Sequence, residues 1–368
     1  MKTTTKSLSV GLLIAALALT GCSTGGGSDS SGGIDPAVKK AAQAQVDKYQ
    51  GEPQARQPET LSAKPPTGKE AVAISCPLPI CTEVTGLFVE ATKDLGWDTR
   101  VIVPEFTPES YVSAFESAIQ LHPDYLYYIA TQPNDVITTQ LEKAKAAGIP
   151  VIVNSPAPDT KIGGDSPQVA AVAGANQVKQ YSELMADIVV ADAKDLDHIT
   201  YMYDPASPAY VYQYQVFSDR IKAAGGKVAP FEINQGDAGA TLLGQITSYL
   251  QRTPDTEYFV TAHDNLIIGL PDAIATAGLE SPKIIGQNPG KDNIEYLKKG
   301  TEFATVQWGS FDAHWDAADL FARLSVGDSI DSELNGSVMV GTKKNADQIP
   351  LTTFPGIPDN YLKAWRLK

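Results

Sequence analysis

The chain predicts an α/β fold of two doubly wound parallel-sheet lobes. Three observations carry this. From about Glu70 onward, short β-rich apolar runs alternate with helical stretches. Most of the runs are uncharged and rich in Val, Ile and Tyr, which suits parallel strands buried on both faces. Helices stop at Gly and lead directly into strands, as at Ala147-Gly148-Ile149-Pro150 and Ala224-Gly225-Gly226-Lys227. The alternation repeats too often for one sheet, so two are expected.

Taken in order, Ser23 to Gly33 is Ser/Gly-rich and reads as a flexible tether. Asp35-Pro36 opens a short helix running to about Tyr49. Gly51 to Lys69, rich in Pro, Gln and Thr, reads as a linker or loosely packed arm. The strand candidates follow: Ala71–Ser75, Asp98–Val103, Tyr125–Ile129, Val151–Asn154 and Val169–Ala173. A second series comprises Ile199–Tyr203, Lys227–Glu232, Tyr258–Ala262, Lys283–Gly286 and Phe303–Trp308.

The first residues read as an export signal. Lys2 and Lys6 precede an apolar run from Leu8 to Leu19, too short for a stable membrane span. The run closes in Leu19-Thr20-Gly21-Cys22, which resembles the bacterial lipobox. That resemblance implies cleavage before Cys22 and acylation of its thiol, giving a membrane anchor on the extracytoplasmic face. An ordinary signal peptide with a chance Cys is the other reading.

Hydrophobic content of 43% and charged content of 20% are those of a soluble globular protein. The formal net charge of -14 repels phosphate backbones, so nucleic acid is not an expected partner. Besides Cys22, the cysteines are Cys76 and Cys81. An even pair in an exported chain reads as a disulfide. Two buried free thiols, or a metal pair lacking a second Cys/His pair at ligand spacing, are the alternatives.

In doubly wound sheets, ligands bind beyond the carboxyl ends of the strands. The candidate segments are therefore Cys76–Cys81, Gln132–Asn134, Asn154–Pro156, Asp204–Tyr212, His263–Asn265, Gln287–Pro289 and Trp308–Phe311. Within them, Trp308 offers a flat face and one N–H donor, either as a platform in the cleft or as packing in a lobe core. Asn154, Gln287 and Asn288 each combine donor and acceptor. His263 either donates to a ligand or caps the next helix with its neighbour, and Asp264 is either an N-cap or a ligand contact. Tyr210 and Tyr212 begin a helix facing either cleft or core, and Tyr214 is expected to pack. His314, between Asp312 and Asp316, reads as a surface or packing residue rather than a metal ligand. The Gly163-Gly164-Asp165-Ser166 stretch reads as a turn. Nucleophile-elbow, phosphate-loop, dinucleotide and His-Glu-x-x-His motifs are absent, so neither enzyme activity nor a cofactor is expected.

One stretch, Leu141-Glu-Lys-Ala-Lys-Ala-Ala-Gly-Ile-Pro-Val-Ile-Val-Asn154, resembles the helix–Gly–Ile–Pro–strand unit of the type I periplasmic-binding-protein family. Tyr258–Asn265, Lys283–Asn288 and Phe303–Trp308 are similar to later units of its ribose-like, sugar-binding branch. The resemblance covers roughly Glu70 to Thr352. It implies two lobes joined by a three-strand hinge, with crossovers near Gly174–Asn176, Gln307–Gly309 and Val338–Pro350. It also implies ligand capture by lobe closure and delivery to an ABC permease.

The implied organisation is a signal peptide over 1–21, then a tether with helix and linker over 22–69. The first lobe spans 70–174, completed by about 308–338. The second spans 175–307, completed by about 339–352, and a C-terminal tail occupies 353–368. Transferred to this chain, the pocket comprises Leu78, Ile80, Asn154, Tyr210, Tyr212, His263, Asp264, Gln287, Asn288 and Trp308. It departs from the sugar-binding pattern in having Asn154-Ser155 for Asp-Arg, Tyr210-Val211-Tyr212 for an Arg, and apolar Leu78–Cys81 for Asn and aromatics. The expected activity is a monomeric, lipid-anchored solute-binding protein of an ABC importer, taking a small neutral ligand, by resemblance a carbohydrate or polyol. An aromatic or less polar ligand, a sensor presenting its closed form to a membrane receptor, and an exported enzyme are the rival readings. A repressor conflicts with the signal, the charge and the absence of a helix-turn-helix segment.

Overall fold

The computed structural model describes residues 33–77, 79–105, 107–132, 134–154, 169–330 and 336–368. The first sheet contains β1 (Glu70–Ile74), β2 (Asp98–Ile102), β3 (Tyr125–Ile129), β4 (Val151–Asn154) and β5 (Ala171–Ala173). Its order is β2-β1-β3-β4-β5 and every pairing is parallel. Every residue of β3 and β4 is buried, which their uncharged sequences allow. Edge strand β2 is largely exposed and tolerates Asp98 and Arg100.

The second sheet contains β6 (Ile199–Tyr203), β7 (Ala229–Glu232), β8 (Tyr258–Thr261), β9 (Lys283–Gln287), β10 (Ala304–Trp308) and β11 (Val338–Thr342). Its order is β11-β10-β9-β8-β6-β7, parallel except where β11 runs antiparallel to β10. Strand β11 lies where the chain was expected to cross back and complete the second lobe, over about 339–352, but no strand was expected there. An added antiparallel strand lacks the following helix that makes βα units visible in sequence.

Among the described residues, eleven α-helices accompany these sheets. They are α1 (Pro36–Tyr49), α2 (Pro79–Asp94), α3 (Pro108–Gln120), α4 (Thr138–Ala146), α5 (Ala175–Asp192) and α6 (Pro208–Ala223), then α7 (Ala240–Arg252), α8 (Leu270–Thr276), α9 (Lys291–Lys299), α10 (Ala313–Val326) and α11 (Ile357–Ala364). Apolar clusters lie on both faces of each sheet, as doubly wound layers require. The lobes are joined where β5 enters α5, where β10 enters α10, and where the chain returns from α10 to β11. Helix α10 packs on α2, β4 and β5, so it belongs to the first lobe although it follows the second sheet's β10.

Both ends of the described chain are more ordered than their composition suggests. Helix α1 starts at an N-cap in which the Asp35 side chain accepts from the Ala37 N–H at 2.7 Å, with Pro36 at the first helical position. Its Ala42 and Val46, one turn apart, are buried against the second lobe's core beside α5. The expectation of a loosely packed arm over Gly51–Lys69 is corrected: Leu61 is fully buried and its N–H donates to Ala364 O at 2.9 Å. The C-terminal stretch read as a tail carries α11, whose end buries Trp365 with its indole N–H on Asp319 at 2.8 Å. Among the described residues, no helix is long and apolar enough to cross a membrane.

Candidate functional site

The strand order reverses between β1 and β3 in the first sheet and between β6 and β8 in the second. Carboxyl ends at such reversals open a crevice where ligands sit. The loops leaving β1, β6 and β8 therefore border these crevices, and those leaving β4, β9 and β10 lie at the same carboxyl ends.

At the first sheet, Cys76 and Cys81 are joined by a disulfide, their Cα atoms 5.5 Å apart. Both are buried, so the bond closes the loop between β1 and α2 against the core. Ser75 supports the same turn: its hydroxyl lies 2.7 Å from that of Thr85 and donates to Cys81 O at 3.2 Å. Asn154 ends β4, buried, and its carbonyl accepts from the Ala130 N–H at 3.0 Å. Of the other residues assigned from sequence, Cys22 and Leu78 lie outside the described residues, as does the Gly163–Ser166 stretch. Ile80 lies in the first turn of α2, and its side chain is outside the description too.

At the second sheet, a run of neutral polar groups links three consecutive strand ends. Gln287, at the end of β9, donates from its amide to Ala262 O at 2.6 Å, just past β8. Its amide oxygen accepts from the Trp308 indole N–H at 2.5 Å, at the end of β10. Both ends of the Gln287 amide are thus used inside the protein. Trp308 stacks on Tyr181 of α5, ring centroids 5.1 Å apart and planes 23° apart. With its N–H engaged, Trp308 offers a ligand only its ring.

A second polar line lies beside the first. His263 Nδ1 accepts from the Asn265 N–H at 3.1 Å, so the neutral ring carries its proton on Nε2. That nitrogen lies 3.4 Å from Asn288 Nδ2, so two donors stand side by side there, and the Ser310 hydroxyl donates to Asn288 Oδ1 at 3.4 Å. Burial pushes the His263 imidazole down to about 4, so it is neutral at physiological pH. Asn288 is held at φ +54, a left-handed conformation Asn tolerates better than most residues.

Carboxylates near these loops are turned into the protein. The Asp204 oxygens accept from the N–H groups of Ala206 at 2.8 Å and Gln235 at 2.9 Å. Asp264, expected at the cleft, is fully buried and faces the sheet: Thr305 on β10 donates to it at 2.5 Å. A Cβ on Gly286 would lie 1.4 Å from Asp264 Oδ1, so only glycine lets the carboxylate pack there. Burial raises the carboxyls of both Asp264 and its neighbour Glu302, and Asp264 raises Glu302 further. A ligand contact from Asp264 does not fit this placement, because its side chain is committed to the interior.

The tyrosines divide similarly. Tyr214 stacks on Tyr203, centroids 4.6 Å apart. Tyr210 is half-buried among apolar residues, and burial with nearby Asp204 pushes its hydroxyl up to about 12. Tyr212 is half-buried. His314 is a core residue rather than a surface one: Tyr127 Oη lies 2.5 Å from its Nδ1. Sequence reasoning did not single out Tyr181, in mid-helix with no strand-end signal. Ser310 was visible only as a member of the Trp308–Phe311 loop.

The profile described as "Periplasmic binding protein domain" matches residues 79–329, well over half of the chain. The chain therefore belongs to that family. Similar folds include a periplasmic ribose ABC transporter protein from Conexibacter woesei, at TM-score 0.66 and 15% identity, covering 78% of this chain and 96% of that one. An ABC transporter solute-binding protein from Agrobacterium vitis with bound D-fucose aligns at TM-score 0.62 and 24% identity, covering 76% and 97%. One from Actinobacillus succinogenes with bound D-allose aligns at 0.61 and 17%, covering 76% and 99%. At these identities the likeness shows the type I fold. Among curated proteins, no sequence matches.

Proposed function

We propose that this chain is the extracytoplasmic solute-binding protein of an ABC importer, a monomer that binds one small neutral ligand between its lobes. Acylated Cys22 anchors it, and lobe closure presents the ligand to a membrane permease. The observation that carries the ligand class is the neutral polar line His263–Asn288–Ser310 at the second sheet's strand ends, with Asp204 and Asp264 turned inward. Hydroxyls of a carbohydrate or polyol match such donors and acceptors without needing a counter-charge. Fold relatives holding D-fucose and D-allose support the same class.

The test is a thermal-shift series with D-fucose, D-allose, ribose and neutral polyols. A ligand at a hundred times its Kd adds about 2.7 kcal/mol. One sugar should raise the melting point, and Asn288→Ala together with His263→Ala should abolish that rise. Silence from every neutral sugar would sink the carbohydrate assignment. The Trp308 ring on Tyr181 favours a second reading, an aromatic ligand, and a shift confined to aromatic acids or nucleosides would select it. Mass spectrometry of the membrane-extracted protein tests the anchor, since an unmodified peptide beginning elsewhere than Cys22 would rule it out.

A further inference from the structure

The N-terminal arm lies outside the segment matched by the family profile, yet it touches both lobes. Its first part is fixed to the second lobe. Helix α1 packs on α5, the Asn345 side chain donates to Gln50 O at 2.6 Å, and Gln54 bridges to Val338 on β11 in antiparallel fashion. Its second part is fixed to the first lobe. The Arg56 guanidinium is ion-paired with Asp316 of α10, and both side chains are under a tenth exposed. Asn360 donates to Arg56 O at 2.9 Å, Arg323 to Glu59 O at 2.6 Å, and Trp97 to Pro66 O at 2.7 Å.

The change of lobe falls between Gln54 and Arg56. At that point the Arg56 N–H donates to the Ser337 hydroxyl at 3.0 Å, and Ser337 O accepts from the Gly309 N–H at 2.8 Å. Ser337 leads into β11 and Gly309 follows β10, so the arm is hydrogen-bonded alongside two of the crossovers that form the hinge. The Asp316 carboxylate also accepts from the buried Tyr361 hydroxyl of α11.

From this geometry we propose that residues 50–68 form a strap across the hinge, latched by Arg56, which limits how far the lobes open. Arg56 is a positioning residue: it acts through Asp316 and Ser337, not on a ligand. A hinge deforms most easily where few chain segments cross it. An extra passage, held by a buried ion pair on one side and a sheet bridge on the other, stiffens it. The strap thereby biases the ligand-free protein toward closed arrangements and raises the occupancy of the binding-competent state. This rests on the lobe-closure reading above.

The test is hydrogen exchange on the ligand-free full chain, with small-angle scattering on the same samples. Arg56→Ala should speed exchange at least tenfold in peptides covering 308–312 and 336–342 and enlarge the radius of gyration. Peptides covering 125–129 and 258–261, in the two lobe cores, should keep their protection. Arg56→Lys should restore most of it, and Ser337→Ala, which leaves the ion pair in place, should move the hinge peptides in the same direction by a smaller factor. Unchanged hinge exchange in both alanine variants would overturn the strap, as would a rise spread equally over both cores. No sugar enters these measurements, so a failed carbohydrate assignment and a failed strap give different results.

Discussion

The strand ends of the two sheets are built from different bonds. Beyond β1, the first sheet closes its loop with the Cys76–Cys81 disulfide and a Ser75–Thr85 hydroxyl pair, next to apolar sequence. Beyond β8, β9 and β10, the second sheet ends in neutral amide, indole and hydroxyl groups hydrogen-bonded in place, with the His263 imidazole beside them. One edge is held covalently; the other is held by hydrogen bonds that leave ring faces and single polar atoms outward. The contrast teaches that the two lobes hold their strand ends by different means, a covalent closure and a polar network, so damage to each should have a different signature.

The largest effect should come from Trp308→Ala. It removes the stack on Tyr181 and leaves the buried Gln287 oxygen without its donor, costing about 3 kcal/mol in urea unfolding. A loss below 1 kcal/mol would show that the indole does not brace the second edge. The double change Cys76→Ala with Cys81→Ala opens a short loop and should cost about 2 kcal/mol by chain entropy. It should leave the exchange of the Gln287 side-chain environment untouched; a spread of damage to the second edge would break the proposed division.

The third prediction separates the edges by pH. His263 is held neutral, its imidazole lowered to about 4 by burial, while the unfolded chain titrates near about 6.5. The unfolded state therefore binds more protons between these values, so stability falls as pH falls through that window. Because the ring is half-buried, the discounted loss is about 1 kcal/mol. His263→Asn should flatten this part of the profile relative to the parent, while the disulfide variant keeps the parent's slope. Asp312, pushed up to about 7 by burial, contributes the opposite sign, stability lost as pH rises toward that value. The comparison with His263→Asn removes it. Smallest is Ser310→Ala, whose hydroxyl sits 3.4 Å from Asn288: about 0.5 kcal/mol or less, with ligand affinity more affected than stability.

Much of this architecture was legible beforehand because parallel strands buried on both faces leave uncharged Val/Ile/Tyr runs. Tyr125–Ile129, Val151–Asn154 and Ile199–Tyr203 appear in the structure with the expected bounds, as does helix Pro36–Tyr49 with its Asp35 cap. Antiparallel β11 was missed because it breaks the βα rhythm. The arm over Gly51–Lys69 looked loose because Pro, Gln and Thr show no periodicity; its partners lie some 260 to 305 residues away, at Asp316, Asn360 and Arg366. Strand-end position put His263, Gln287, Asn288 and Trp308 on one list, and in the structure Asn288 lies beside His263 and Gln287 beside Trp308. It did not reveal that Gln287 is satisfied internally or that Asp264 points inward.

By itself, the sequence determined the order of the βα units, the number of sheets and the segments that meet at strand ends, because local propensity and the period of burial are written residue by residue. Only the tertiary structure decided which face each strand-end side chain takes. That choice depends on partners remote in sequence: Tyr181 under Trp308, Thr305 and Gly286 around Asp264, and Asn288 beside His263. The strap follows the same rule. Arg56 has no helix or strand of its own, and it is placed by a buried carboxylate on α10, since an unpaired charge could not be buried there.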